Sequence, residues 1–485
     1  MYNKNPLTVD IFMDGQITGD PFVDLGSLVL QTIIKRFSTK NLYEIVELVT
    51  DVYIDKWKKK LHSVFHTNSK LLNPNPSTKG KHRENTTNYL RNIIEDSEIE
   101  ETISCGYCRT CGKTNILYQN SRNIFPNSGS GAFVNFHHYH ESGIYLCNKC
   151  TFALYFVPLG VILLGKMNAF LHTQSKTVIK YWQENIIEEN LNKIARNTSK
   201  GILKTEYSNP ENALFYFAKE IVIFSCNDNC SEYLQMINFT NYATSPFSTI
   251  YVLPNPVFNF IAKVIRFKSR QWHQFVKRYY KIKKSKWDSE KQEWILIKKQ
   301  TQYIPEENEY RNNPNIILQK LLNNKSILGY LLKATKNAFL LNHEKFPIEI
   351  TIYYVTEVIQ MAKEQIQLIM QITDKIFELA QKENNFKKYI FLLESAGKAY
   401  QLRSALMKII KANYLTGSKE PLIRLEEYVS YLFPDGQYWS EVRDLLLINL
   451  YEKMHDNGIN KDQIPEEQIE DVFEENEKNV VIESF

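Results

Sequence analysis

The chain has 485 residues, 43% of them hydrophobic and 23% charged, with a net charge of +5. That length allows two or three domains with real cores, and the composition excludes a disordered or fibrous chain. The charge is uneven: residues 461–485 hold nine acids against two lysines, a local −7, so the first 460 carry +12 and suit a polyanionic partner.

Met1 to Asp14 contains no apolar run of the kind a secretory leader needs, and seven cysteines without one fit a reducing cytoplasm. Asp20 followed by Pro21 reads as a helix N-cap with a first-turn proline. Helical periods continue to about residue 104, interrupted by a loop predicted from Asn68 to Asn88. Its Asn73-Pro74-Asn75-Pro76 run excludes regular helix, because each proline pushes the preceding residue toward an extended conformation. Asn68 and Asn73 are turn-makers on the same grounds.

Two cysteine pairs come next, Cys108-Arg109-Thr110-Cys111-Gly112-Lys113 and Cys147-Asn148-Lys149-Cys150. Each pair can present two thiolates from one tight turn, and two turns supply the four soft ligands of a tetrahedral structural Zn2+; the competing reading is reduced, buried cysteines or a redox pair. A closed four-cysteine site leaves no position for substrate, so the metal organises a surface and does not catalyse. Thirty-five residues separate Cys111 from Cys147, which demands an elaborated loop within a zinc-binding insertion spanning 105–150. Cys105 reads as a bystander, and His137, His138 and His140 as surface or nucleic-acid-facing residues more than ligands. A zinc deaminase is excluded: His140 is followed directly by Glu141, and Leu146 stands where a proline should precede Cys147.

The apolar stretch Thr151 to Gly165 is too short to span a bilayer and reads as buried strands. Phe215 to Phe224 and Thr249 to Leu253 are likewise strand-like. Lys263 to Lys286 then carries ten cations and no acid, with Trp272, His273, Phe275, Tyr279 and Tyr280 interleaved and Trp287 adjacent. Cations neutralise phosphates and rings stack on unpaired bases, so Arg266, Lys268, Arg270, Lys277, Arg278, Lys281, Lys283 and Lys284 are candidate nucleic-acid contacts. The competing reading is a helix with an aromatic core face and solvated cations.

From Pro347 the pattern turns helical. Val355, Ile359, Ala362, Ile366, Ile369, Ile376 and Ala380 predict one long amphipathic helix, and Tyr389 to Ile410 a second, ending near Thr416-Gly417. Two shorter helices are predicted over Pro421 to Leu432 and Tyr438 to His455, separated by a Pro434-Asp435-Gly436 turn. The expected fold is α+β: a mixed N-terminal domain over 1–345 with the zinc-finger insertion, then a C-terminal four-helix bundle over 346–485 ending in an acidic tail.

Several segments together resemble one family: Thr18-Gly19-Asp20-Pro21-Phe22-Val23-Asp24-Leu25-Gly26, Phe65-His66-Thr67-Asn68-Ser69 leading to Asn73-Pro74, the paired cysteines, and Leu253-Pro254-Asn255-Pro256-Val257-Phe258. They resemble, in order, the CXXC-CXXC family of CRISPR-associated proteins, the large subunit of type I-B interference (Cascade) complexes. The resemblance implies a non-catalytic subunit that binds the 5′ handle of the crRNA, alongside backbone and small subunits. It also implies recognition of the protospacer-adjacent motif on double-stranded target DNA and docking of the helicase–nuclease, with no membrane partner. On that reading the Asn68 to Arg83 loop, with Lys70, Lys79, Lys81 and Arg83, is the candidate motif reader. Met361 or Met370 is a candidate internal start for a separate small subunit.

Two other classes compete. A stand-alone zinc-stabilised RNA- or DNA-binding protein would need the cysteines and the basic stretch but not the helical C-terminus. A metal-dependent nuclease or transposase would draw on Asp10, Asp14, Asp20 and Asp24, which lie close in sequence instead of converging from separate elements.

Overall fold

A computed structural model describes residues 4–72, 81–99, 102–128, 143–225, 234–242, 246–417, 421–432 and 438–460. The chain divides into two compact units, Met1–Asn255 and Pro256–Phe485. The first mixes helices with two sheets; the second is mostly helical, and the whole is α+β.

The first unit opens with α1, Pro21–Arg36. Asp20 caps it as the sequence predicts, its carboxylate accepting the Phe22 and Val23 amides at 3.0 Å each. Apolar residues cover most of the helix surface, so it is buried on several sides. Phe22 packs against Phe125, Phe170 and Phe239, with ring centroids 4.9–5.6 Å away. Next come α2, Leu42–Asp51, closed by an Asn41/Glu44 capping box, and α3, His82–Ile94. α3 begins inside the segment predicted as loop, so His82 to Asn88 is helix instead.

A three-stranded antiparallel sheet follows: β1 (Thr102–Tyr107), β2 (Thr114–Asn120) and β3 (Ile144–Cys147), in that spatial order. The chain after β3 is helical, through α4 (Asn148–Ala153), a single 3-10 turn and α5 (Val157–Gly160). This overturns the expectation of strands over Thr151 to Gly165; only β4, Ile162–Leu164, is one. Residues 150–164 are all buried, and a segment apolar on every side carries no period to separate helix from strand. Gly26 of α1 crosses this segment so closely that a Cβ there would lie 2.0 Å from the Ala153 carbonyl oxygen.

The remaining elements are β5 (Met167–His172), α6 (Lys176–Trp182), α7 (Glu188–Ala195), β6 (Leu203–Lys204), α8 (Pro210–Ser225), β7 (Leu234–Thr240) and β8 (Phe247–Leu253). The strands form a mixed sheet in the order β6-β4-β5-β7-β8, with β4 and β6 parallel and the other pairs antiparallel. The Thr249 to Leu253 strand is present within β8, but Phe215 to Phe224 is helix. Its buried residues pair at spacings of four (Ala213/Leu214, Phe217/Ala218, Ile221/Val222), and the Asn209 side chain accepts the Asn212 amide ahead of it. Asn209-Pro210 is the same cap-and-proline signal as Asp20-Pro21, so this helix start was legible.

In the second unit α9, Asn255–Lys277, is kinked at Lys268. A small meander follows: β9 (Ser285–Asp288), β10 (Glu293–Leu296) and β11 (Gln302–Tyr303). It closes over Ile282, Trp294 and Tyr310. The helices are α10 (Glu307–Asn312), α11 (Ile316–Leu322), α12 (Leu328–Leu340), α13 (Ile348–Glu357), α14 (Lys363–Lys382), α15 (Phe386–Glu394), α16 (Ala399–Leu415), α17 (Leu425–Glu427) and α18 (Trp439–Asp456). Each long predicted helix is thus broken in two. Gln360 adopts φ +59 and Ala362 is extended between α13 and α14, while Ser395 to Lys398 separate α15 from α16. The apolar stripe keeps its spacing across both breaks, so periodicity could not reveal them. α18 is buried on almost all sides, with α12, α14, α15 and α16 packed around it.

The 434–436 turn, the 461–485 tail, Lys79 and the His137–His140 cluster lie outside the described residues.

Candidate metal centre and basic surfaces

The first cysteine pair turns between β1 and β2. The Cys108 amide donates to the Lys113 carbonyl and the Gly112 amide to the Cys108 carbonyl, closing a loop in which Gly112 adopts φ +70. A side chain there would be strained, which is why glycine occupies it. The second pair straddles the end of β3 and the start of α4, with Cys147 as the extended residue ahead of the helix. The Arg109 amide donates to the Tyr145 carbonyl and joins the two turns.

All four sulfurs converge within 4.8 Å of one another, and Cys111 Sγ lies 3.7 Å from Cys147 Sγ. A tetrahedral centre with metal–sulfur distances of about 2.3 Å has sulfur–sulfur edges of about 3.8 Å, so the donor set fits a tetrahedral ion. All four cysteines are free of disulfides, and Cys108, Cys147 and Cys150 are buried. Their electrostatics agree. Hydrogen bonds from Cys111, Cys147 and Cys150 pull the Cys108 thiol far down, so one thiolate forms readily. Cys147 and Cys150 are pushed well up, chiefly by their bonds to Cys108 and Cys111. Four thiolates can coexist here only around a cation. Among the described residues this is the one cluster of potential metal ligands.

The second turn also anchors the N-terminal strap. Lys149 Nζ donates to the Ile11 carbonyl at 2.8 Å and pairs with Asp14 at 3.1 Å. Asp14 is lowered overall: slight burial raises it, and the Lys149 contact outweighs that. Asn148 donates to the Asn5 carbonyl at 2.9 Å.

The Thr18 to Gly26 motif resolves into structural roles. Asp24 gathers the Thr18 amide and hydroxyl at 2.7 Å each, the Gly19 amide at 3.0 Å, and His172 Nε2 at 3.2 Å. Gly19 turns at φ +87 to present its amide. Asp20 is pushed up to about 6, mainly by burial, with the Val23 and Phe22 amides opposing and Asp24 adding to the rise. The His172–Asp24 pair was invisible in sequence, since its members stand 148 residues apart.

Among the loop cations, Lys70 is exposed beside the Tyr89 ring, 5.9 Å from its centroid, and Lys81 is exposed just ahead of α3. Arg83 is not on a loop. It lies in the first turn of α3, and its guanidinium is shared by Asp51, Asp55 at 2.9 Å and Glu47 at 3.6 Å.

The basic stretch divides. Trp272 and Phe275 are core residues packed on Phe260 and on each other, so they are not free to stack on bases. Tyr280 packs on Tyr310 and Trp287 on Trp294. The acids missing from the local sequence arrive from α13: Glu349 pairs with Lys268 at 2.7 Å and Glu357 with Lys263 at 2.5 Å. Lys277 sits over the Tyr310 ring at 4.5 Å, and Arg278 over Trp287 at 5.7 Å, its pKa lowered by burial. Arg266 and Arg270 stand exposed on α9, and Lys281, Lys283 and Lys284 on the turn before β9.

Residues 101–162, which contain all four cysteines, match a family described as CRISPR-associated protein (Cas_CXXC_CXXC). Residues 352–481 match the DevT C-terminal domain. The first match supports a CRISPR-associated CXXC-CXXC family for this chain. No curated protein and no solved structure matches it. Among the described residues, no helix is long and apolar enough to cross a membrane.

Proposed function

We propose that the chain is the non-catalytic large subunit of a type I-B crRNA-guided surveillance complex, working in the cytoplasm. The observation that carries this reading is the closed four-thiol centre inside the segment similar to a CRISPR-associated family. Cys108, Cys111, Cys147 and Cys150 hold one Zn2+, whose two positive charges make four convergent thiolates tenable. The ion supplies shape to the lobe and no open coordination position. Two of the carboxylates a nuclease would need are already engaged, Asp20 as a helix cap and Asp24 as the staple of the strap.

In this role the subunit binds the crRNA 5′ handle and reads the protospacer-adjacent motif on duplex DNA. It also presents a surface to the helicase–nuclease. Base pairing with the guide reads the rest of the target. The exposed cations support such contacts: Lys70 and Lys81 in the first unit, and Arg266, Arg270, Lys281, Lys283 and Lys284 in the second.

The test is expression together with the neighbouring gene products and isolation of the assembly. Recovery with one guide RNA of uniform length and about one zinc per chain is expected. A lone chain that binds nucleic acid without assembling favours a stand-alone zinc-stabilised nucleic-acid-binding protein. Magnesium-dependent cleavage by the isolated chain overturns the non-catalytic assignment.

A further inference from the structure

The first unit contains a cavity of about 340 Å³ between α1, α6, the end of β5 and the strap before α1. That volume falls in the range of small-molecule sites, roughly 300–1,000 Å³. None of the roles assigned above uses it.

Its lining is sorted by chemistry. The buried wall is apolar, made by Leu25, Leu171, Val178 and Trp182, with Leu28 and Ile179 half-buried beside them. Toward solvent stand four amide side chains, Gln16, Gln31, Gln174 and Gln183, and two ammonium groups, Lys176 and Lys180. The one carboxylate is Asp24, which already accepts hydrogen bonds from Thr18, Gly19 and His172. Its oxygens are thus engaged within the protein, while Lys180 is shared with Glu184 at 3.9 Å, which leaves Lys176 as the mouth's cation outside any ion pair among the described residues.

Apolar walls accept the faces of a flat ring. Amides carry donor and acceptor together, the pattern of a base edge. Ammonium groups at the mouth suit a phosphate. A plain hydrophobe would leave the amides and cations unused, and an inorganic anion would leave the apolar wall unused.

We propose that this cavity holds one unstacked nucleotide, its base against Leu28, Ile179 and Trp182 and its phosphate toward Lys176 and Lys180. The inference rests on the nucleic-acid-binding reading above and deepens it. Single strands are recognised by drawing splayed bases into such pockets. The strap from Gly15 to Gly19 forms one side, turned at both ends by positive φ angles of +66 and +87 and tied to Asp24. Asp24 and His172 are therefore positioning residues, which hold the strap in place beside the pocket.

The experiment uses the full chain with its metal. Saturation-transfer NMR is recorded with the four ribonucleoside monophosphates, their deoxy counterparts and ribose 5-phosphate. At least one nucleotide is expected to show saturated base protons, with ribose 5-phosphate about tenfold weaker. Preference for ribo- or deoxyribonucleotides assigns the source to RNA or DNA. Ser27→Trp, which fills the cavity, should abolish the signal. Should that variant misfold, Lys176→Glu with Lys180→Glu must weaken monophosphates about fivefold and leave uncharged nucleosides unchanged. Binding of an RNA of about 20 nucleotides is followed in parallel by fluorescence anisotropy. Retained RNA binding without any nucleotide signal, or a signal indifferent to every variant, overturns the pocket alone. Loss of both in the unaltered chain overturns the reading beneath it.

Discussion

Gly26 and Asp20 show how much one residue position carries in this molecule. A methyl group at Gly26 would overlap the Ala153 carbonyl. Gly26→Ala is therefore expected to destabilise the first unit by about 3 kcal/mol. Gly329→Ala, in the first turn of α12 with open space around it, should instead be neutral or stabilise by up to about 1 kcal/mol. Chemical denaturation of both variants gives the comparison. Asp20 is raised from 3.8 to about 6 by burial, so its protonated form is favoured in the folded state. Its contribution to stability is full below pH 3.8 and lost as pH rises through 6. Asp20→Asn keeps an acceptor for the Phe22 and Val23 amides and removes the charge. It is expected to stabilise the protein by about 2 kcal/mol at pH 7 and by little below pH 4. Melting curves at the two pH values would refute this if the gain were equal at both. At this scale the sequence was legible where partners are neighbours, as with Asp20-Pro21 or the two cysteine turns. It was silent where a partner stands far along the chain, as His172 does for Asp24.

Among the elements, α9 separates what charge patterning can and cannot reveal. Its run of cations has no local acid, yet Lys263 and Lys268 find Glu357 and Glu349 on α13. Arg266 and Arg270 project on the exposed surface of the same helix. Replacing both arginines by glutamine should lower RNA affinity and reduce the slope of log K against log salt by about 1.4. Lys268→Gln should leave that slope within error, and a larger effect there would show the Glu349 pair to be irrelevant. The aromatic residues of this stretch misled for a related reason. Trp272 and Phe275 recur at helical spacing because they face a core, and ring content cannot distinguish a stacking platform from a packing face. The broken C-terminal helices teach the same lesson, since the apolar stripe runs on past Gln360 while the backbone turns away.

At the scale of the whole molecule, the second unit constrains any separately translated product. A start at Met361 would precede α14 and keep it entire, whereas one at Met370 would cut it in the middle. Both lose α12, which packs on α18 in the full chain. A short product is expected to begin at Met361 and to vanish on Met361→Leu but not on Met370→Leu, read by mass spectrometry of the expressed chains. Intact α18 also shows why the bundle's arrangement was hidden: a helix buried on almost all sides, polar residues such as Asp444, Asn449 and Glu452 included, is central, but nothing in its sequence orders the neighbours around it.

Lys149 binds two distant events into one equilibrium. Its ammonium group reaches from the second cysteine turn to Ile11 and Asp14, so whatever orders that turn also orders the residues ahead of α1. Metal loading thus becomes a thermodynamic partner of N-terminal docking, each strengthening the other. Stripping the ion with a chelator should open the chain to proteolysis between residues 4 and 20, at a distance from the sulfurs that lost it. Lys149→Met should weaken this coupling, making residues near Ile11 and Asp14 more cleavable even with the ion bound, while the Asn148 bond to Asn5 remains.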